Sequence, residues 1–89
     1  MERISREECV RLYKIDIEFF NALTDAGLIE TVKEENTVYL EYKRLGYFEK
    51  LVNWHYDLEV NLPGLEVIHH LLERIEALQR ERAELLRRL

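Results

Sequence analysis

Eighty-nine residues, 47% apolar and 35% charged, suffice for one small folded domain and are not the composition of a disordered chain. The net charge of −5 works against a polyanion as partner, and one cysteine, Cys9, excludes an internal disulfide and a cysteine-built zinc site. No apolar run reaches the roughly 18 residues of a membrane span, and charged residues follow Met1 directly, so no secretory leader and a cytoplasmic location are expected.

The chain opens with a helix start. Ser5 can cap the N-terminus and Glu8, three residues on, can reach back to the Ser5 amide as a capping box. Cys9, Val10, Leu12 and Tyr13 then give that short helix an apolar side, with Cys9 read as a small buried hydrophobe. A second helix follows from Asp16, a good cap residue. Phe19, Phe20, Leu23 and Ala26 repeat at helical spacing, and Gly27 suits the left-handed position after the C-terminus. Two short helices with a tight connection predict a helix-turn-helix unit.

The period then changes. Ile29, Val32, Val38, Tyr39, Leu40 and Tyr42 favour strands around the polar turn "KEEN", with Asn36 able to adopt positive φ. A β-hairpin from about Leu28 to Tyr42, a wing, is the expected result. From Tyr42 to Val60 helical spacing returns, with Leu45, Phe48, Leu51, Val52 and Tyr56 on one face and Gly46 weakening the first turn. Trp54 is either a core anchor or a partner contact.

In "NLPG", Asn61 or Leu62 would cap a new helix and Pro63 would occupy its first turn, where a missing amide is harmless. Proline also turns Leu62 from helical geometry, which predicts a bend. Beyond it Ile68, Leu71, Ile75, Leu78, Leu85 and Leu89 fall at heptad a and d positions, with Arg82 at an a position. Some 25 residues extend roughly 37 Å, more than so small a body can cover. A second copy is the expected partner, with Ile68, Leu71, Ile75, Leu78 and Leu85 in the dimer interface. Arg82 weighs against a tight parallel pair. The organisation is therefore one structural domain, a body over 1–60 and a dimerising helix over 61–89.

Catalytic patterns are missing. Three scattered glycines make no phosphate-binding loop, and His69 and His70 are adjacent, so on a helix they diverge by about 100° and cannot chelate together. His55 stands alone, no nucleophile has a recognisable base, and no cofactor, metal or small-molecule substrate is expected. A non-enzymatic protein is expected. Charge distribution says more. From Ile15 to Tyr42 seven carboxylates face Lys33 alone, a local balance of −6, whereas from Asn61 onward five acids and five arginines cancel. The second helix, which in a DNA-binding unit would enter the groove, carries Asp16, Glu18 and Asp25 and no cation. Phosphate neutralisation and guanine readout both need cations, so protein binding is favoured over DNA binding.

The segment "LVNWHYDLEVNLPGLEVIHHLLERIEALQRE" resembles the C-terminal half of the CbpM family of chaperone modulators, part of the MerR-like winged-helix group. Asp57, Leu58, Val60, Asn61, Leu62 and Gly64 match the family's bend, and Ile68, Leu72, Ile75 and Leu78 match the helix after it. The front half fits as well, through the helix start near Ile4, the acidic second helix and "AGLIET" at Ala26 to Thr31. The resemblance implies a mostly α fold: a MerR-like winged helix-turn-helix of two short helices, a hairpin wing and a body helix, followed by a long dimerisation helix. It also implies a cytoplasmic inhibitor of a DnaJ/CbpA-like co-chaperone that covers the basic helix of its J-domain. Asp16, Glu18, Asp25 and Glu30 are the residues expected to meet that partner. The alternative is a MerR-family DNA-binding transcriptional regulator. Against that alternative, Glu18, Asn21, Ala22, Leu23 and Asp25 stand where such regulators carry arginines and a tyrosine pair.

Overall fold

The computed structural model describes residues 2–89. The element order is β1 (Arg3–Ser5), α1 (Arg6–Tyr13), α2 (Ile17–Asp25), β2 (Val32–Glu34), β3 (Thr37–Glu41), a 3-10 turn (Tyr42–Arg44), α3 (Leu45–Tyr56) and α4 (Leu62–Arg87). This is a mostly helical winged helix-turn-helix with a long C-terminal helix.

Local chemistry explains most of the boundaries. The Glu8 amide donates to Ser5 Oγ at 3.2 Å, as a cap requires. The expected return bond, Glu8 carboxylate to Ser5 amide, is replaced by Ser5 Oγ donating to Glu8 Oε1 at 3.4 Å. Ser5 is at once the helix cap and the last residue of β1, opposite Tyr39, so its backbone serves the sheet. Asp16 holds the cap position of α2 with extended backbone, but its carboxylate caps nothing. Its amide instead donates to the Tyr56 hydroxyl at 3.0 Å, which ties the start of α2 to the end of α3. The exit of α2 is a Schellman turn: Gly27 sits at φ 75°, its amide donates to the Thr24 carbonyl at 3.0 Å, and the Leu28 amide donates to the Leu23 carbonyl at 2.9 Å.

The wing is shorter than the sequence predicts and has an unpredicted third strand. Leu28 and Ile29 are apolar because they are buried in the core on the way into the hairpin, not because they belong to a strand. The turn is two residues long, Glu35 and Asn36, both at positive φ. Such a turn matches the twist of its strands. The sheet order is β1-β3-β2, antiparallel throughout, with Ile4 opposite Leu40 and Val32 opposite Tyr39. Three residues with one apolar side chain, "RIS", carry no strand signal of their own; pairing with β3 makes β1.

α3 ends at Tyr56 rather than continuing to Val60. Glu59 takes φ 56°, the Val60 amide donates to the Trp54 carbonyl at 3.0 Å, and the Val60 carbonyl accepts from His55 Nδ1 at 2.8 Å. Asn61 then caps α4, its Oδ1 accepting from the Gly64 amide at 2.8 Å, with Leu62 and Pro63 in the first turn. Gly64 is required by space: a Cβ there would stand 2.8 Å from Val60 Cγ1.

The core gathers one to three side chains from each of β1, α1, α2, β3, α3 and α4. Phe20, Leu23, Leu40, Phe48, Leu51, Leu65 and Cys9 are its fully buried members. Tyr13 meets Phe48 edge-on at 5.3 Å between centroids, and Phe19 stacks on His55 at 4.2 Å. Trp54 packs against the core, edge-on to Tyr47. Tyr56, expected on the inner face, is instead partly exposed, because its hydroxyl serves the start of α2. Only the first turns of α4 touch the body: Leu65 is fully buried, whereas every residue from Leu71 onward is exposed.

Candidate interaction surface

Three of the four expected contact residues lie on or beside α2. Phe19, Phe20 and Leu23 take its inner side. Because residues seven apart share a face, this leaves Glu18 and Asp25 together on the outer one, two turns apart, with the half-buried Asn21 between them. Asp16 is exposed at the N-terminal end of the same helix. Glu30 is set apart. It lies after the Schellman turn and pairs with Arg44 Nη2 at 3.3 Å, so its charge is partly neutralised.

The wing adds carboxylates that sequence reasoning did not select. Glu34 and Glu35 stand at the hairpin turn, and both are exposed. Glu34 forms a two-pronged pair with Arg3, both contacts at 3.1 Å, while the Arg3 guanidinium also lies 4.0 Å above the Tyr39 ring. The hydrogen bonds and charge of Arg3 hold the Glu34 carboxyl below its ordinary range. Arg6 is tied to Glu7 at 3.2 Å and to Asn21 Oδ1 at 3.1 Å. Arg3 and Arg6 are thus each engaged by an acceptor, while among the described residues Glu18, Asp25, Glu35 and the wing's Lys33 have no ion-pair partner. The alternation of α2 could have revealed Asn21 as a face residue. The approach of Arg6, fifteen residues earlier, is a tertiary fact.

A second feature is the junction of α3 and α4. A groove of about 590 Å³ runs between the Gly27–Glu30 turn, Arg44, Tyr47, His69 and Glu73. Tyr47 Oη and His69 Nδ1 lie 2.7 Å apart, and His69 Nε2 is 3.6 Å from Glu73. Burial first, and then the charge of Glu73, raises the Tyr47 hydroxyl pKa. The Tyr47–His69 contact thereby ties α4 to α3 where the helix leaves the body, with Glu73 flanking His69 from the same helix. Among the described residues no group of three or more His, Cys, Asp or Glu is placed to hold a metal ion. Cys9 is fully buried, and burial pushes its thiol up to about 11, which keeps it protonated and unreactive at neutral pH.

The five residues expected in a dimer interface all lie along α4. Ile68 is half-buried, while Leu71, Ile75, Leu78 and Leu85 are 48–57% exposed, joined by Val67, Leu72 and Leu86. No helix is long and apolar enough to cross a membrane among the described residues.

Searches of curated proteins and of solved structures returned no match to this chain. A family model described as MerR HTH family regulatory protein matches residues 4–87, from the core strand residue Ile4 to the last turn of α4. One continuous match thus takes in the helix pair, the wing, the body helix and the long helix that follows, and the chain belongs to the MerR HTH family of regulatory proteins.

Proposed function

We propose that this protein is a non-enzymatic adaptor that uses its helix-turn-helix to bind a basic protein surface instead of DNA. The observation that carries this reading is the charge of the outward helix–wing face. Among the described residues Glu18 and Asp25 on α2 and Glu35 on the wing have no ion-pair partner, whereas Arg3 and Arg6 are held by acceptors. A DNA backbone meeting that face would find few free cations and several carboxylates. A cationic helix would be steered toward it. The resemblance to the CbpM group supplies the identity of that partner: the J-domain of a DnaJ/CbpA-like co-chaperone, inhibited when its basic helix is covered.

The adaptor is a homodimer in this reading. The exposed seam of Leu71, Ile75, Leu78 and Leu85 supports association through α4 with a second copy. In a parallel pair Arg82 would face itself. An antiparallel pair sets Arg82 against Leu71 and brings Arg74 of one copy beside Glu81 of the other, which favours that orientation.

Titrating a purified J-domain into the protein tests the partner. Binding is expected in the wild type, and Glu18→Lys with Asp25→Lys should abolish most of it and flatten its salt dependence. Unchanged binding in that variant would move the interface elsewhere. The family match itself favours the second reading, a DNA-binding regulator. Tight, sequence-specific binding to promoter DNA at physiological salt, without J-domain binding, would replace the adaptor reading with it.

A further inference from the structure

Between the second half of α2 and the inner face of the wing lies a cleft of about 340 Å³, lined by Arg6, Asn21, Thr24, Asp25, Thr31 and Val38. Its two walls differ in chemistry. Thr24 Oγ1 donates its single proton to the Phe20 carbonyl at 3.2 Å, so toward the cleft it has only lone pairs to offer. Asp25, one residue on, adds two carboxylate oxygens without an ion-pair partner among the described residues. Arg6, also in the lining, has Nε on Glu7 at 3.2 Å and Nη1 on Asn21 Oδ1 at 3.1 Å, while its Nη2 has no partner among the described residues. Thr24 and Asp25 therefore accept and carry the negative charge, and Arg6 is a resident cation that is only partly engaged.

We infer that this cleft receives a cationic side chain, arginine or lysine, from the bound partner, with its charged head on Asp25 and Thr24 and its aliphatic stem along Val38. Long cationic side chains bury their stems on apolar surface while the head keeps polar partners. The inference rests on the adaptor reading for the identity of the partner, but the chemistry of the cleft stands on its own residues. It separates two carboxylates that share a face of α2. Glu18 is not part of the cleft and acts as a steering charge, whereas Asp25 seats a side chain. Arg6 acts in the opposite sense, as a resident cation that competes with the incoming one.

Calorimetric titration with a purified J-domain is the first arm of the test. Asp25→Asn is expected to weaken binding about tenfold, as loss of a partly desolvated charge pair does. Glu18→Gln should cost about twofold, the scale of a screened surface charge. Arg6→Gln should tighten binding by about threefold, since it removes the competing charge. Equal, small effects of Asp25→Asn and Glu18→Gln, or weaker binding by Arg6→Gln, would overturn the seat. If the wild type fails to bind the J-domain, the partner assignment falls and the second arm decides the cleft. That arm titrates blocked peptides rich in arginine, lysine or glutamine and follows backbone amide shifts. Shifts centred on Thr24, Asp25 and Thr31, seen with the cationic peptides and lost in Asp25→Asn, sustain the seat and show which cation it prefers. Shifts spread over the acidic surface, or retained in Asp25→Asn, overturn it.

Discussion

The body and the distal part of α4 are similarly rich in large apolar residues, yet they dispose of them in opposite ways. In the body, Phe20, Leu23, Leu40, Phe48 and Leu51 come from three separate elements and close over one another completely. Along α4, Leu71, Ile75, Leu78 and Leu85 are presented by one straight element that has nothing opposite it. A helix can bury its own stripe only against another element. Beyond His69 the described residues supply none, and the molecule stretches to 50 Å on its long axis. Burial in the body therefore stabilises a fold, whereas the same side chains on α4 can contribute only through association.

Substitutions in the two regions should separate these roles. Phe48→Ala removes a fully buried ring that touches Tyr13 and Phe20. It should cost about 3–5 kcal/mol, enough to unfold most of so small a domain, as read by denaturant melts. Ile75→Asp should leave the body's circular dichroism and intrinsic unfolding in place while converting a dimer to a monomer in sedimentation. A wild type that sediments as a monomer at micromolar concentration would remove the contrast, because the stripe would then be solvated without a partner. A smaller effect sharpens the boundary between the regions. Gly64→Ala places a methyl 2.8 Å from Val60 Cγ1, and the strain should cost about 1–3 kcal/mol and tilt α4 away from α3.

The smallest effect is alkaline and belongs to the body alone. Burial holds the Cys9 thiol at about 11 against an ordinary 9.0, and burial followed by the Glu49 contact holds Tyr13 at about 12 against 10.0. In both cases the folded value is raised. The contribution is whole below the unfolded value and fades as pH climbs from 9 through about 12, where the unfolded chain gives up its protons first. Melting curves should therefore fall over that window, and Tyr13→Phe should flatten the upper part of the decline. An identical decline in the variant would place the alkaline loss elsewhere.

Much of this fold was legible from local chemistry. The Ser5 and Asn61 caps, the Gly27 exit, the positive φ at Asn36 and the restart at Pro63 all depend on residues within a few positions of one another. The same holds for the buried faces of α2 and α3. Misread features depended on distant parts of the chain. Leu28 and Ile29 looked like strand because burial, not pairing, made them apolar. β1 was invisible because only β3 makes a strand of three such residues. Asp16 holds the cap position as expected, but its carboxylate makes no cap bond, and its amide is bound by a tyrosine forty residues away.

Of the candidate surface, the acidic character of the second helix was plain, as were Glu18 and Asp25 as its outer charges. Which carboxylates are free was not plain. Glu30 and Glu34 answer to Arg44 and Arg3 across fourteen and thirty-one residues, distances over which sequence carries no pairing signal. The cleft that joins Arg6 to Asp25 exists only once wing and helix are packed together.

Periodicity, caps and charge counts thus determined the helices, the bend, the unpartnered stripe and the acid-rich first half of this protein, because each is a short-range property of the chain. Tertiary structure alone decided which charges cancel, which backbone groups are shared, and where a polar cleft opens. Those outcomes depend on side chains brought into contact by the core, and the core closes only when all the elements of the body meet.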